Sequence, residues 1–127
     1  MSENLITAIH HASFIVANTE RALTFYCGVL GLKQDHNRPD LGYAGAWLQV
    51  GDGQIHLLEL PNPDPVDNRP AHGGRDRHLA MTVTDLAQIQ SLLEQAGIDF
   101  TLSKSGRRAL FCRDYDGNGI ELIESVA

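Results

Sequence analysis

The sequence predicts an α+β fold built from two repeats, each running strand, helix, strand, strand, strand. One observation is a β-branched and aromatic strand segment followed by a helix-start signal, which occurs once in each half of the chain. A second is that the halves align at nearly one offset, 67 residues from His11 to His78 and 65 from His56 to Glu121. Agreement at both ends of a repeat indicates a duplicated unit.

The first half reads as one strand from Leu5 to Val16, followed by a helix that Asn18 caps and that ends near Leu30. Apolar residues recur in this helix at spacings of three and four, which gives it one buried face. Three strands are predicted at about 32–37, 44–50 and 54–60, the last two joined by a Gly-Asp-Gly turn.

A linker over residues 61–76 carries four of the five prolines and two adjacent glycines. Beyond it the same order returns. A strand is predicted at 78–84, a helix from the Asp85 cap to about Ala96, and strands at about 98–102, 109–113 and 119–125. We therefore expect a single domain over residues 1–127, with modules at about 5–60 and 77–125.

Composition excludes several classes of function. A formal net charge of −6 without a Lys/Arg stripe argues against nucleic acid as a partner. No apolar stretch approaches the roughly 20 residues that span a membrane, and no secretory signal precedes the first strand. Cys27 and Cys112 lack metal-ligand spacing and suit reduced core thiols. We expect a soluble, cytoplasmic protein.

Four side chains that bind metals occupy matched places in the two halves. Side chains alternate across a strand, and the bulky apolar face of each strand should pack beneath the helices. That leaves His11, His56, His78 and Glu121 on the helix-free face. Imidazole and carboxylate bind first-row divalent metals, and such a set leaves coordination positions open. Each histidine alone also fits an ordinary hydrogen-bonded role. His10 lies on the opposite face, where we expect it to be packed or hydrogen bonded.

The chain resembles the vicinal oxygen chelate superfamily in "HHASFIVANTERALTFYCGVLGL", "GAWLQVGDGQIHLLE", "RHLAMTVTDL" and "DYDGNGIELIE". This superfamily includes glyoxalase I, bleomycin-resistance proteins and extradiol dioxygenases, and the resemblance covers about residues 5–125. It implies two paired βαβββ modules that form a curved mixed sheet around a metal cleft, with the helices outside. By match of position it implies one divalent metal ion (Ni, Zn, Co, Mn or Fe(II)) on His11, His56, His78 and Glu121. It also implies a homodimer.

The activity that the resemblance implies is a metal-dependent lyase or isomerase. The metal would polarise a carbonyl of a small substrate chelated through two neighbouring oxygens, and Glu121 would take the α-proton as catalytic base. We expect Trp47 and Phe111 to wall the cleft, although aromatic residues at these places also suit core packing. Arg38 is a candidate for meeting an anionic group of the substrate.

Two other functions remain open. Glyoxalase I has a glutamate where this chain has His56, whereas the two-His, one-carboxylate triad of the dioxygenases matches His11, His78 and Glu121. An Fe(II) extradiol-type dioxygenase is therefore one alternative. Another is a non-catalytic drug-binding protein of the bleomycin-resistance type, a group that generally lacks these ligands. The sequence leaves open whether the site lies within one chain or between two.

Overall fold

A computed structural model describes residues 4–125 and confirms the α+β prediction. The first module contains β1 (His11–Val16), α1 (Thr19–Leu23) continuing as a π-helical turn (Thr24–Val29), β2 (Lys33–Asp35), β3 (Gly45–Val50) and β4 (Gly53–Glu59). The second contains a 3-10 turn (Gly73–Arg75), β5 (His78–Val83), α2 (Leu86–Gln95), β6 (Thr101–Leu102), β7 (Ala109–Arg113) and β8 (Gly119–Glu124).

Each module forms its own four-stranded mixed sheet with the same strand order. The orders are β1-β4-β3-β2 and β5-β8-β7-β6, and in both sheets only the first pair is parallel. The registers also match, because His56 lies opposite Ser13 in one sheet and Glu121 lies opposite Ala80 in the other. The duplication predicted from the sequence is therefore present in the strand pairing.

The first strand is shorter than predicted. It begins at His11 and not at Leu5, because its partner β4 begins only at Gly53 and Gln54 already lies opposite His11. Residues 4–10 extend past the end of that partner. For the same reason His10 is exposed and is not packed beneath a helix. Its Nδ1 lies 2.8 Å from Nδ1 of His11, so of the two roles expected for it, packed or hydrogen bonded, the hydrogen-bonded one is present.

Both helices begin with matching hydrogen bonds. The Asn18 and Asp85 side chains accept from backbone N–H groups three residues on, as predicted. In addition, Glu59 accepts from the backbone N–H of Thr19 at 2.7 Å, and Glu124 accepts from that of Leu86 at 3.3 Å. A carboxylate at the first turn stabilises the positive end of the helix dipole, so each last strand holds its module's helix in place.

The buried apolar residues of both modules form one cluster on the helix side of the sheets. Its fully buried members include Val16, Phe25, Tyr26, Leu48, Ile55, Leu57, Leu93, Leu110 and Ile120. Alternation along β4 and β8 then turns the residues between these core positions to the other face. This is the face that carries the candidate site.

A hydrogen-bond network with a buried centre at Asp114 joins the modules. The hydroxyl of Tyr26 donates to Oδ2 of Asp114 at 2.6 Å, and the Asn118 amide donates to the Ile15 carbonyl at 3.1 Å. Asp116 accepts from the backbone N–H of Ala17 at 3.0 Å. Burial raises the pKa of Asp114 and, together with that carboxylate, the pKa of Tyr26. The 114–118 turn thus fixes the second module against the first.

Within residues 4–125, no helix combines the length and apolar character needed to cross a membrane.

Replacing Tyr26 by Phe tests the network between the modules. The substitution leaves a buried carboxylate with one donor fewer, so we expect a loss of about 1–3 kcal/mol in the free energy of unfolding, measured in urea. Tyr43→Phe is the matched control and should change this free energy by less than about 0.5 kcal/mol. Equal effects of the two substitutions would contradict a specific role for the Tyr26 hydroxyl.

Candidate functional site

The first module contributes a stack of three rings to the helix-free face. Parallel pairing of β1 with β4 brings His11 and His56 together with ring centroids 3.9 Å apart and planes within 14°. Trp47 lies directly opposite His56 on β3 and stacks on its other side at 4.7 Å. The structure therefore places three predicted site residues in contact.

Hydrogen bonds set the orientation of the His56 ring. Its Nε2 lies 2.8 Å from Oε1 of Gln54, and the Gln54 amide donates in turn to Asp35 at 2.8 Å. An imidazole that donates from Nε2 keeps its lone pair at Nδ1. Burial, followed by the charge of His11, lowers the pKa of His56, which favours the neutral form that binds metals.

The second module contributes a buried acid beside a histidine. Nε2 of His78 lies 3.1 Å from Oε1 of Glu121, and Nδ1 of His78 lies 2.8 Å from the carbonyl oxygen of Asp76. Glu121 is only 2% exposed, and its Oε2 atom has no hydrogen-bond partner within the described part of the chain. The nearest cation is Arg107, whose Nη2 is 3.6 Å from Oε2.

Phe111 and the linker cover this acid. Phe111 lies opposite Glu121 and meets His78 edge to face at 5.0 Å. The 3-10 turn of the linker lies on the other side of Phe111, so close that a Cβ atom on Gly73 would be 3.0 Å from that of Phe111. His72 contacts Phe111 at 5.0 Å and hydrogen bonds through Nδ1 to Thr101 at 2.7 Å.

Sequence reasoning missed this cover. The sequence predicts residues 61–76 to be a connecting linker and does not predict that His72 and Gly73 contact Phe111. The available signal was the pair of adjacent glycines after it, since glycine permits a close approach of backbone to a neighbouring ring.

Arg38 belongs to the first module, which carries the stack of His11, His56 and Trp47. Its guanidinium donates to the carbonyl oxygen of Tyr43 at 2.9 Å and lies 5.1 Å from the centroid of the Tyr43 ring. The guanidinium also lies against Gly45 of β3, where its Nη2 would be 2.9 Å from an added Cβ atom, two residues before Trp47. A fixed cation thus borders the ring stack.

Asp76 anchors the end of the linker that leads into His78. It accepts from Arg69 at 2.6 and 2.9 Å and from Arg113 at 2.8 Å. These guanidinium groups hold the pKa of Asp76 well below its usual range. Because the Asp76 carbonyl orients the His78 ring, the same ion pairs position a candidate ligand.

The two modules meet along a seam between β1 and β5. One groove on the seam is lined by residues 9–12 of β1 and its approach together with 79–82 of β5. A second groove, of about 340 Å³, is lined by residues 12–15 together with 77–79. The start of β1 therefore faces the end of β5, and the two strands run in opposite directions.

This arrangement keeps the four predicted ligands apart within one chain. His11 lines the first of these grooves and His78 lines the second, so the two histidines lie at different places along the seam. A metal ion needs donors at about 2 Å. Among residues 4–125, no three His, Cys, Asp or Glu side chains lie close enough to hold one ion. The structure brings the candidates together as two pairs, His11 with His56 (the first pair) and His78 with Glu121 (the second pair).

Comparisons with known proteins agree on one superfamily. The sequence model of the Glyoxalase/Bleomycin resistance protein/Dioxygenase superfamily matches residues 8–122. Among curated relatives, the chain is 29% identical to "Glyoxylase I 4" of Arabidopsis thaliana over 92% of its own length and 70% of the relative's. It is 29% identical to "Lactoylglutathione lyase" of Salmonella typhimurium, over 91% and 90% of the two chains.

Solved structures share the fold. A protein assigned to the glyoxalase family from Bacillus anthracis superimposes with a TM-score of 0.80 at 22% identity, covering 98% of this chain and 100% of that one. The fosfomycin resistance protein FosX of Listeria monocytogenes, a point mutant solved with Mn(II) and 1S,2S-dihydroxypropylphosphonic acid, gives a TM-score of 0.74 at 13% identity, covering 96% and 95%.

Asp76→Asn tests the anchor of the second pair. Loss of the carboxylate charge weakens the bonds to Arg69 and Arg113, and we expect unfolding at pH 7 to become easier by about 1–3 kcal/mol. Asp64→Asn is the matched control, because its ion pair with Arg77 is exposed and should contribute less than about 1 kcal/mol. A free energy of unfolding that Asp76→Asn leaves unchanged would contradict this assignment.

Proposed function

Because the chain belongs to the Glyoxalase/Bleomycin resistance protein/Dioxygenase superfamily, we propose that it is a divalent-metal-dependent lyase or isomerase of the glyoxalase type. Its substrate is a small molecule that binds through two neighbouring oxygen atoms. The observation that carries the proposal is the His78 and Glu121 pair, a buried acid held against an imidazole beside the ring of Phe111.

The second pair suits a cation. With its Nδ1–H donated to the Asp76 carbonyl, His78 turns Nε2 toward a carboxylate oxygen of Glu121 3.1 Å away. At this distance a proton or a metal ion lies between the two atoms. The Oε2 atom of Glu121 is buried and lacks a hydrogen-bond partner among the described residues, which a cation would also satisfy.

The full donor set suits the same group. Three imidazoles and one carboxylate are ligands for Ni, Zn, Co, Mn and Fe(II), and His56 is already favoured in its neutral form. The Listeria protein with this fold was solved with Mn(II), which supports a divalent ion here. His11, His56, His78 and Glu121 would hold it.

We place this site between two chains. In one chain the pairs lie at opposite ends of the seam, whereas each copy of a symmetric dimer can offer His11 and His56 to one site and His78 and Glu121 to the other. A homodimer then contains two complete sites. This accounts for an exposed His11 beside a neutral His56 without any rearrangement of the chain.

The residues around the site divide the chemistry among them. A bound divalent ion would polarise a substrate carbonyl and so acidify the neighbouring C–H bond. Glu121 takes that proton on its carboxylate, and Phe111 and the linker turn keep water from it. Trp47 walls the opposite side, while Arg38 and Arg107 lie near the two pairs and can meet an anionic group of the substrate.

Metal content tests the ligand set. We expect about one ion per chain after chelator-free purification, and affinity reduced by more than about tenfold in His11→Ala, His78→Ala and Glu121→Ala. His10→Ala is the matched control, since His10 is exposed and outside the set. If His10→Ala lost as much metal as His11→Ala, or if no form bound metal, the proposed ligand set would be wrong.

Activity tests the role of Glu121. Lactoylglutathione formation, suggested by the name of the Salmonella relative, is the first reaction to assay with each metal restored. We expect Glu121→Gln to lower kcat by about 10²–10⁴-fold, as loss of a general base does. Glu94→Gln is the matched control, because Glu94 is exposed on α2, and it should retain wild-type activity. Turnover of catechols with O₂ uptake and Fe(II) only would instead favour the dioxygenase.

A further inference from the structure

The segment of residues 4–10, here called the N-terminal arm, exposes an unusual amount of apolar surface. Leu5, Ile6 and Ile9 are 92%, 88% and 85% exposed, while the other exposed large apolar residues of the described chain are 36–57% exposed. Single exposed apolar residues are ordinary on protein surfaces. Three nearly bare ones within five residues indicate a surface that is covered in the working protein.

The arm also has the composition of a strand without a neighbour. Leu, Ile and Thr dominate it, and it leads directly into β1. Its last backbone contact to β4 is the bond from the N–H of Gln54 to the carbonyl oxygen of His10, 3.2 Å long. Beyond that point the sheet ends, which leaves a row of backbone donors and acceptors available to another chain.

We propose that the arm binds the second module of a second copy of this chain and fastens the dimer. This inference rests on the two-chain site proposed above. The copy that supplies His78 and Glu121 must approach His11, so its surface lies next to Ile9 and His10, where the arm joins β1. A partner at the site is therefore also a partner for the arm.

The arm carries none of the charge that opposes contact between two copies. Each chain carries a formal net charge of −6, so two copies repel each other over most of their surfaces. Residues 4–9 contain no charged side chain. The arm is thus a part of the surface at which two like-charged copies can meet without that cost.

The arm is long enough for this role. Leu5 is six Cα-to-Cα steps from His11, and an extended chain advances about 3.3 Å per step, which gives a reach of roughly 20 Å. Neighbouring strands lie about 4.8 Å apart, so this reach exceeds the width from β5 to β6 of the second copy's four-stranded sheet. Both arms of a symmetric dimer can bind at once.

A charged arm tests the proposal. We expect wild type to sediment as a dimer across a dilution series and Leu5→Asp/Ile6→Asp to raise the dimer dissociation constant at least about tenfold, since burial of a single such side chain already exceeds that factor. Val66→Asp is the matched control, because Val66 is an exposed linker residue, and its dissociation constant should equal that of wild type. Circular dichroism checks the fold, and Ile6→Ser replaces the double variant if that variant is unfolded.

Metal analysis of the same samples separates the two proposals. If the charged arm dimerises as tightly as wild type, the arm proposal is overturned, while metal bound by that dimer leaves the two-chain site standing. If wild type is a monomer that binds one ion per chain, both the arm proposal and the two-chain site are overturned. If the charged arm dissociates the dimer but no form binds metal, the arm proposal stands and the proposed function fails.

Discussion

Parallel pairing of the first and last strand of each module is the constraint on which the candidate site depends. It pairs His11 with Gln54 and His78 with Gly119. Gln54 lies two residues before His56, and Gly119 lies two residues before Glu121. In each module the histidine and the second candidate ligand therefore lie on the same face of the sheet. One face of each strand is committed to the core, and the alternation of side chains leaves these four on the other face. A shift of one residue in either pair would bury a histidine and expose an isoleucine.

Glu121 is the costly element of this arrangement. A carboxylate removed from water lowers stability unless charges or hydrogen bonds compensate it, and here a histidine at 3.1 Å and an arginine at 3.6 Å face it incompletely. An apolar residue at this buried position would avoid that cost. The acid, covered by Phe111, is therefore better explained by chemistry than by folding.

Most of the fold could be predicted from the sequence because its signals are local. The caps at Asn18 and Asp85 and the alternation in β8 depend on residues within a few positions of one another. The start of β1 could not be predicted, since it is set by where β4 begins. The π-helical turn that buries Phe25 and Tyr26 is likewise a product of tertiary packing.

The site was predictable to the level of faces and not of distances. Strand alternation assigned the four candidate ligands to the helix-free face. The direction of β5 relative to β1, in contrast, depends on contacts between residues 88 and 103 positions apart in the sequence, such as Tyr26 with Asp114. The covering role of His72 and Gly73 depends in the same way on where the linker meets Phe111. Local patterns carry no information about such long-range contacts.

Mixing two inactive variants tests the central claim, a metal site shared between two chains, most directly. A His11→Ala/His56→Ala chain and a His78→Ala/Glu121→Ala chain each lack half of every site. In their mixed dimer one site combines the two intact halves. We expect each variant alone to bind no metal and the isolated mixed dimer, formed by co-expression, to bind one ion. A mixed dimer without metal, beside wild type that binds it, would contradict the claim.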